Sequence, residues 1–319
     1  MQTILVGLGA GIASALLFIA LASGSGLALA LFYFAPLPIM LAGLGWNHFA
    51  ALLATLTAAG GIGIGAGFWF AIAYLAGIGV PAYTLIYLAM LGRTAANGSM
   101  EWFPPGRIVT ATAVLATIAM ALTVPVFGTD IDSYRDGLKE IFGRVLRAQL
   151  AIPEGKPLEL PNGTNVNRTL DVLSYVMPPL ASAVSMITLL INMYIAGRVA
   201  RASGRLSRPW PDLSQTALPF STPLLLLTAF ALSFLHSIAG LAGGVLTACL
   251  LMAYAIVGLS VLHAITRGNP LRSLILGAAW AVLIVLGWPI VLLALLGLAD
   301  GLFNLRGRSG PPNSQPTQI

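Results

Sequence analysis

Apolar residues fill long uninterrupted runs along this chain, and polar residues gather in short stretches between the runs. From Met1 to Gly92 the sequence contains no Asp, Glu, Lys or Arg, and Arg93 carries the first formal charge. A helix needs about 20 apolar residues to cross a hydrocarbon layer of roughly 30 Å. The pattern therefore predicts a series of membrane-spanning helices and excludes a soluble fold.

Cutting the apolar runs at turn residues and charges predicts an all-α fold, a polytopic transmembrane helix bundle of about nine spans. Eight or ten spans remain alternatives, because the glycine run at 60–67 and Pro289 leave two boundaries open. The predicted spans are residues 3–23, 26–46, 48–66, 68–91, 108–128, 172–196, 218–236, 239–264 and 274–298.

The same cuts divide the chain into four parts. An N-terminal membrane half, 1–128, precedes an outer segment, 129–171, and a C-terminal membrane half, 172–305, follows it. In the outer segment, apolar residues recur at intervals of three and four from Asp130 to Leu150, which predicts an amphipathic helix. It would pack on the protein's own spans or cover the outer mouth of the bundle. The tail, 306–319, is rich in Gly, Pro and Ser and is predicted to be disordered.

Composition agrees with a membrane protein, with 58% hydrophobic and 8% charged residues. The net charge of +6 comes from basic residues between the apolar runs, a distribution that orients a membrane protein and does not indicate a nucleic-acid partner. We expect a multi-pass protein of the inner (cytoplasmic) membrane, with loops 197–217 and 265–273 inside. Arg306 and Arg308 also favour an inside tail, whereas nine spans place that tail outside.

No Asp, Glu, Lys or Arg falls in the middle of a predicted span, which disfavours a carrier driven by intramembrane carboxylates. His48, His236 and His263 come from different segments without metal-ligand spacing. The common hydrolase, metalloprotease and phosphate-loop motifs do not occur. We therefore expect no catalytic residues, no metal and no cofactor, and we expect that the protein is not an enzyme.

Small residues form regular faces on several predicted helices. Gly7, Gly11 and Ala15 lie four residues apart, so another backbone could approach this face closely. The face would serve packing within the bundle or docking to a membrane partner.

Four arginines follow the sixth span at intervals of three, four and three. If that helix continues past the membrane, Arg198, Arg201, Arg205 and Arg208 share one face. They would then contact membrane lipid or a cytoplasmic protein partner, or they would only orient the protein.

Prolines and one amide interrupt the apolar spans. Pro36, Pro38, Pro178 and Asn192 are candidate cavity-lining residues, because a broken helix exposes backbone carbonyls, as in many transporters. Simple packing kinks are the alternative interpretation.

Two patches resemble a known family. Residues 32–46, Phe-Tyr-Phe-Ala-Pro-Leu-Pro-Ile-Met-Leu-Ala-Gly-Leu-Gly-Trp, and the end of 292–306, Leu-Ala-Asp-Gly-Leu-Phe-Asn-Leu-Arg, resemble the YybS-like bacterial membrane proteins of unknown function. That family is distantly similar to the substrate-binding components of energy-coupling-factor transporters, which dock a transmembrane partner through small residues. The resemblance implies Asp300 and Arg306 at the membrane edge, and it supplies no substrate contacts.

These observations predict a solute-binding transporter or transporter component for a small neutral or amphipathic molecule. The alternative is a non-transporting scaffold that docks envelope or cytoplasmic partners through the arginines or the outer helix.

Overall fold

The computed structural model describes residues 1–96, 98–153, 158 and 165–308, without the side chains of 307 and 308. Most of the predicted tail, 309–319, lies outside the described residues, as does most of the loop at 151–165.

The described chain is a helix bundle with one short hairpin of strands, which confirms the predicted all-α class. Its helices in chain order are α1 (Gln2–Ile19), α2 (Gly26–Tyr33), α3 (Pro36–Gly45), α4 (His48–Gly65), α5 (Phe68–Tyr74), α6 (Val80–Ala89), α7 (Pro105–Ala121), α8 (Val124–Phe127), α9 (Ile131–Gln149), α10 (Val166–Ala202), α11 (Thr222–Leu232), α12 (Ile238–Ile265), α13 (Arg272–Leu286), α14 (Ile290–Phe303) and α15 (Leu305–Arg308). A π-helical turn, Leu75–Gly79, joins α5 to α6. Strands β1 (Gly92–Thr94) and β2 (Met100–Trp102) pair antiparallel.

Most of the predicted spans are long apolar helices. Within the described residues, seven helical stretches are long and apolar enough to cross a membrane. They are Gln2–Ser23, Gly26–Gly45, His48–Gly65, Phe68–Ala89, Pro105–Phe127, Val166–Ala202 and Ile238–Ile265. The eighth predicted span, 218–236, contains the shorter helix α11, and the ninth, 274–298, contains α13 and α14.

The loops divide the bundle into two ends with different charge. At the first, which we call the arginine-rich end, the described side chains include nine arginines and three acids, and the positive-inside rule predicts that it faces the cytoplasm. These residues are Arg93, Arg107, Arg198, Arg201, Arg205, Arg208, Arg267, Arg272 and Arg306, with Glu101, Asp212 and Asp300. The opposite end holds α9 and the turn before α12, which meet where His236 Nε2 lies 3.1 Å from Asp132 Oδ1.

The helices α13 and α14 leave the arginine-rich end and return to it, a course that we call the hairpin; α14 packs on α12, while α13 has no buried residue. Arg267, before α13, and Arg306, after α14, both donate to Ser214, to its hydroxyl and its carbonyl respectively. The turn between the helices contains Gly287, whose φ of 69° is in the left-handed region, and Pro289.

The hairpin accounts for the conflict over the C-terminus. Its first helix has 15 residues and therefore extends only about 22 Å, less than the hydrocarbon layer. The ninth predicted span is thus two short helices that enter and leave at the same end. Leu305–Arg308 lies at the arginine-rich end, as Arg306 and Arg308 indicate.

The two largest buried apolar clusters each contain residues from both predicted membrane halves. In the first half, small residues on α4 such as Ala50, Ala54 and Ala58 are fully buried and let neighbouring helices approach closely. Helix α10 packs on α3 and also on α12, so it belongs to both halves. The division at 128 and 172 therefore separates segments of sequence and not separate cores.

The predicted outer helix is α9, and its N-terminus is capped by Asp130, which accepts hydrogen bonds from two backbone N–H groups. Ile131 and Tyr134, in its first half, are buried against the bundle. Ile141 and Val145, in its second half, are 39% and 46% exposed. The first half therefore packs on the protein's own helices, while the second half leaves its apolar stripe uncovered.

Candidate functional site

The second long apolar stretch is broken in its middle, between α2 and α3. The break follows from proline at 36, which has no N–H to donate to the previous turn. In a regular helix the Leu37 N–H would donate to the Tyr33 carbonyl, but here it donates to the Phe34 carbonyl at 3.0 Å. The break therefore leaves a free backbone acceptor inside the bundle.

Asn192 on α10 supplies a donor for that acceptor. Its Nδ2 donates to the Tyr33 carbonyl at 2.8 Å and to the Thr188 carbonyl of its own helix at 2.8 Å. The side chain is only 2% exposed, and its Oδ1 has no hydrogen-bond donor among the described residues. A buried acceptor without a donor is costly and needs an explanation.

Two hydroxyl groups meet the other side of the break. Ser14 Oγ on α1 donates to the Ala35 carbonyl at 2.6 Å and lies 2.6 Å from the Tyr74 hydroxyl of α5. All three residues are fully buried. We call Ser14, Tyr74, Asn192 and the carbonyls of Tyr33 and Ala35 the break site.

Aromatic rings surround the break site. Phe18 packs edge-on against Tyr74 with a centroid distance of 5.3 Å, and it also contacts Phe32 at 5.8 Å. Phe32 in turn packs against Tyr33 at 5.7 Å. Such rings supply flat apolar surface next to polar groups, as binding pockets for small molecules do.

The length of α3 indicates that the break site lies near the middle of the membrane. Helix α3 has 10 residues between the break and the arginine-rich end, which corresponds to about 15 Å, half of the hydrocarbon layer. Transporters place their substrate sites at this depth, in helices with broken backbone. The groups available here are hydroxyls, an amide and carbonyls, which suit a neutral solute.

Of the four predicted cavity residues, the structure brings Pro36 and Asn192 to the break site. Pro38 lies half-buried on α3, two residues further on. Pro178 is buried inside α10, which continues through it without interruption. The expectation of a broken backbone at Pro178 is therefore wrong, and about 21 Å of helix separates Pro178 from Asn192.

Sequence reasoning missed Ser14 and Tyr74. A single Ser in an apolar helix and a Tyr in an aromatic run are common, so neither carries a signal by itself. Ser14 is one residue before Ala15 and therefore lies close to the small-residue face of α1. That proximity was the only sequence indication that it is buried.

The small-residue face of α1 packs against α4 of the same chain. A Cβ on Gly7 would lie 2.9 Å from the Leu53 side chain, and one on Gly11 would lie 2.6 Å from the Ala54 carbonyl. Ala15 is 8% exposed. The predicted docking face formed by Gly7, Gly11 and Ala15 is thus already covered within the bundle.

The four predicted arginines do not share one helix face, because α10 ends at Ala202. Gly204 adopts a φ of 67°, and Arg205 N donates back to the Ala200 carbonyl at 2.9 Å while Gly204 N donates to the Arg201 carbonyl at 3.0 Å. This pair of bonds is a Schellman motif, which terminates a helix. The helix continues past the predicted span as far as Ala202 and carries Arg198 and Arg201, whereas Arg205 and Arg208 lie in the following loop.

Arg208 points into the protein and is 9% exposed. It donates to the Ala89 carbonyl, at the C-terminal end of α6, at 2.9 Å, and it lies 3.5 Å from the Phe103 carbonyl. A cation at this position complements the helix dipole. Burial lowers the pKa of the Arg208 guanidinium. Its role is to hold the loop against the bundle.

Asp300 and Arg306 form a buried ion pair at the end of α14. Arg306 Nη2 lies 2.7 Å and its Nε 2.9 Å from Asp300 Oδ2, and its backbone N donates to Oδ1 at 3.1 Å. The two side chains are 4% and 15% exposed, respectively. Both residues lie at the arginine-rich end.

The histidines lie in three separate places. His48 contacts the ring of Tyr87, His236 lies between Asp132 and Arg135, and His263 bonds the carbonyl of Leu259. In the part of the chain that the structure describes, no three His, Cys, Asp or Glu side chains come together as metal ligands.

Comparison with known proteins gives one match. The model of a family described as predicted membrane protein, DUF2232, matches residues 12–301, which include both the break site and Asp300. Comparisons with curated proteins and with solved structures give no significant match. Because the family model covers most of the chain and the fold is a bundle of apolar helices, this multi-pass membrane protein belongs to the DUF2232 family.

Proposed function

We propose that the protein binds a small neutral or amphipathic solute at the break site, as a transporter or a component of one. The observation that carries the proposal is Asn192, because its Oδ1 is buried beside broken backbone and lacks a donor. A solute hydroxyl or N–H group would satisfy this oxygen. The predicted likeness to the substrate-binding components of energy-coupling-factor transporters is part of this proposal.

The site is closed, so the proposal requires a movement that opens it. Ser14, Tyr74 and the Ala35 backbone are fully buried, and Asn192 nearly so. Helix α1 lies at the edge of the bundle and contributes Ser14, so its displacement would expose one side of the break. Rigid helices that rock around a fixed midplane site are a common transport mechanism.

The scaffold alternative has less support than the break site. It depended on four arginines along one helix, and the Schellman turn at Gly204 divides that set. The uncovered second half of α9 is the remaining surface in its favour.

Asn192→Leu tests the proposal, with Ser182→Ala as a matched control. Both residues are buried on α10, and Ser182 bonds only its own helix, at the Pro178 carbonyl. We expect a panel of neutral and amphipathic metabolites, screened by thermal shift, to stabilise the wild type and Ser182→Ala, but not Asn192→Leu.

The variant itself should also lose stability, by about 1–3 kcal/mol, because the Tyr33 carbonyl loses its donor. Equal stabilisation of Asn192→Leu and wild type by the same metabolite would show that the solute binds elsewhere. A wild-type protein that no metabolite stabilises, and that carries no small molecule by mass spectrometry after purification, would contradict the proposal.

A further inference from the structure

Three exposed arginines at the arginine-rich end have no ion-pair partner among the described residues. Arg198 and Arg201 lie in the last turns of α10, and Arg205 lies just after the Schellman turn. The described ion pairs involve other arginines. Unpaired cations therefore gather where α10 leaves the membrane.

Tryptophan rings face two of these cations, Arg201 and Arg205. The Arg205 guanidinium lies 4.4 Å from the ring centre of Trp46, and that of Arg201 lies 5.9 Å from the ring centre of Trp210. Trp210 packs closely on Gly197, where a Cβ would be 2.8 Å from the ring. We call Arg198, Arg201, Arg205, Trp46 and Trp210 the arginine–tryptophan cup.

Apolar residues continue the same face of α10 into the membrane. Ile191 and Tyr194 precede Arg198 and Arg201 at helical spacing, and they are 51% and 45% exposed. The face thus changes from apolar to cationic along its length. A phospholipid has the same arrangement, with apolar chains below a charged headgroup.

We propose that the arginine–tryptophan cup binds the headgroup of an anionic phospholipid, with an acyl chain along Ile191 and Tyr194. Guanidinium groups bind phosphate oxygens in a bidentate manner, and tryptophan is the residue preferred at the level of the headgroups.

The aromatic rings and the apolar continuation favour lipid over an acidic protein. A protein partner would need a polar surface beyond the membrane edge, whereas Ile191 and Tyr194 lie below it. The lipid site is separate from the break site and does not depend on solute binding.

The test compares two charge-matched double variants of the full-length protein. The first, Arg201→Gln with Arg205→Gln, removes the cup. The second, Arg93→Gln with Arg272→Gln, removes two exposed arginines at the same end that contact neither tryptophan. Binding of phosphatidylglycerol and of phosphatidylcholine with identical chains is measured by native mass spectrometry of delipidated protein.

We expect the dissociation constant for phosphatidylglycerol to rise at least tenfold in the first variant and less than twofold in the second. Binding of phosphatidylcholine should change little in either variant. Arg201→Lys with Arg205→Lys, which keeps the charge but not the planar fork, should give an intermediate loss. If the first glutamine variant does not fold, the loss of phosphatidylglycerol binding in this lysine variant provides the test.

Equal losses in the two glutamine variants would overturn the proposal, because they would show a general effect of positive charge. Unchanged lipid binding together with loss of a co-purifying acidic protein from the first variant would also overturn it, and would assign the cup to a protein partner.

Discussion

Asn192, which meets the end of α2, and Asp300, near the end of α14, are both buried polar residues, yet their hydrogen-bonding capacity is used differently. Asp300 has donors on both oxygens, all from Arg306, and its charge is neutralised. The Asn192 Nδ2 group donates two hydrogen bonds, whereas its Oδ1 accepts none from the described residues. The ion pair is complete in the folded chain, whereas the break site retains an unused acceptor.

This difference distinguishes a polar group that stabilises the fold from a polar group that is available to bind a ligand. A charge in an apolar interior is tolerated only when it is paired and fully hydrogen-bonded, so the burial of Asp300 requires Arg306 and the burial of Arg306 requires Asp300. They fasten the hairpin to the loop that contains Ser214. A neutral amide can keep one group free at a lower cost, which makes the break site suitable for a ligand.

The largest effect is expected for the side of the membrane on which the two ends of the hairpin lie, because a cysteine at each end is either labelled from that side or not. In a chain with Cys249 replaced by Ala, single cysteines at Asn269 and Phe303 should react with a membrane-impermeant maleimide from the same side. A cysteine at Trp288, in the turn about 22 Å away, should be protected from both sides. Labelling of the cysteines at positions 303 and 269 from opposite sides would mean that this segment crosses the membrane once, as a single ninth span.

The largest energetic effect is expected for Asp300→Asn, which keeps the shape of the side chain and removes its charge. Arg306 would remain buried without a counter-ion, and we expect a loss of about 3–5 kcal/mol in stability, read as a lowered Tm in detergent. The control is Glu101→Gln, whose partner Arg93 is 81% exposed, with an expected loss below about 1 kcal/mol. Similar losses in both variants would mean that the buried pair does not fasten the hairpin.

A smaller effect is expected for Ser14→Ala at the break site. The substitution removes one neutral donor from the Ala35 carbonyl and one partner from Tyr74, so we expect a loss of about 1 kcal/mol. Thr228→Ala is the control, because its hydroxyl is exposed and bonds only its own helix. A loss as large as that of Asp300→Asn would remove the energetic distinction between the two regions.

The sequence predicted some parts of the fold well, for identifiable reasons. Long uncharged runs must be helical in a membrane, since backbone groups cannot otherwise be satisfied there, and α4, α7 and α12 follow from this alone. The apolar stripe between Asp130 and Leu150 predicted α9, and the structure shows that the Asp130 carboxylate caps the start of this helix. Gly204 is an equally local signal for the end of α10, which extends six residues past the end of the predicted span, 172–196.

Other features depended on residues far apart in the chain. Pro178 did not break its helix, while Pro36 did, and proline alone does not distinguish the two outcomes. Asn192 and Tyr33 are 159 positions apart, and nothing in either segment indicates that they bond. The small-residue face of α1 could have met any helix, and the structure shows that α4 covers it.

The sequence by itself determined that this protein lies in a membrane, which end of the bundle is basic, and where helices such as α4, α9 and α12 begin and end. These properties follow from hydrophobicity, charge and local hydrogen bonding, which act over a few residues. Only the tertiary structure decided that the last apolar run returns to the end from which it entered, and that the break at Pro36 is met by Ser14, Tyr74 and Asn192. Those outcomes depend on which distant groups can satisfy a buried carbonyl or charge, and packing alone selects them.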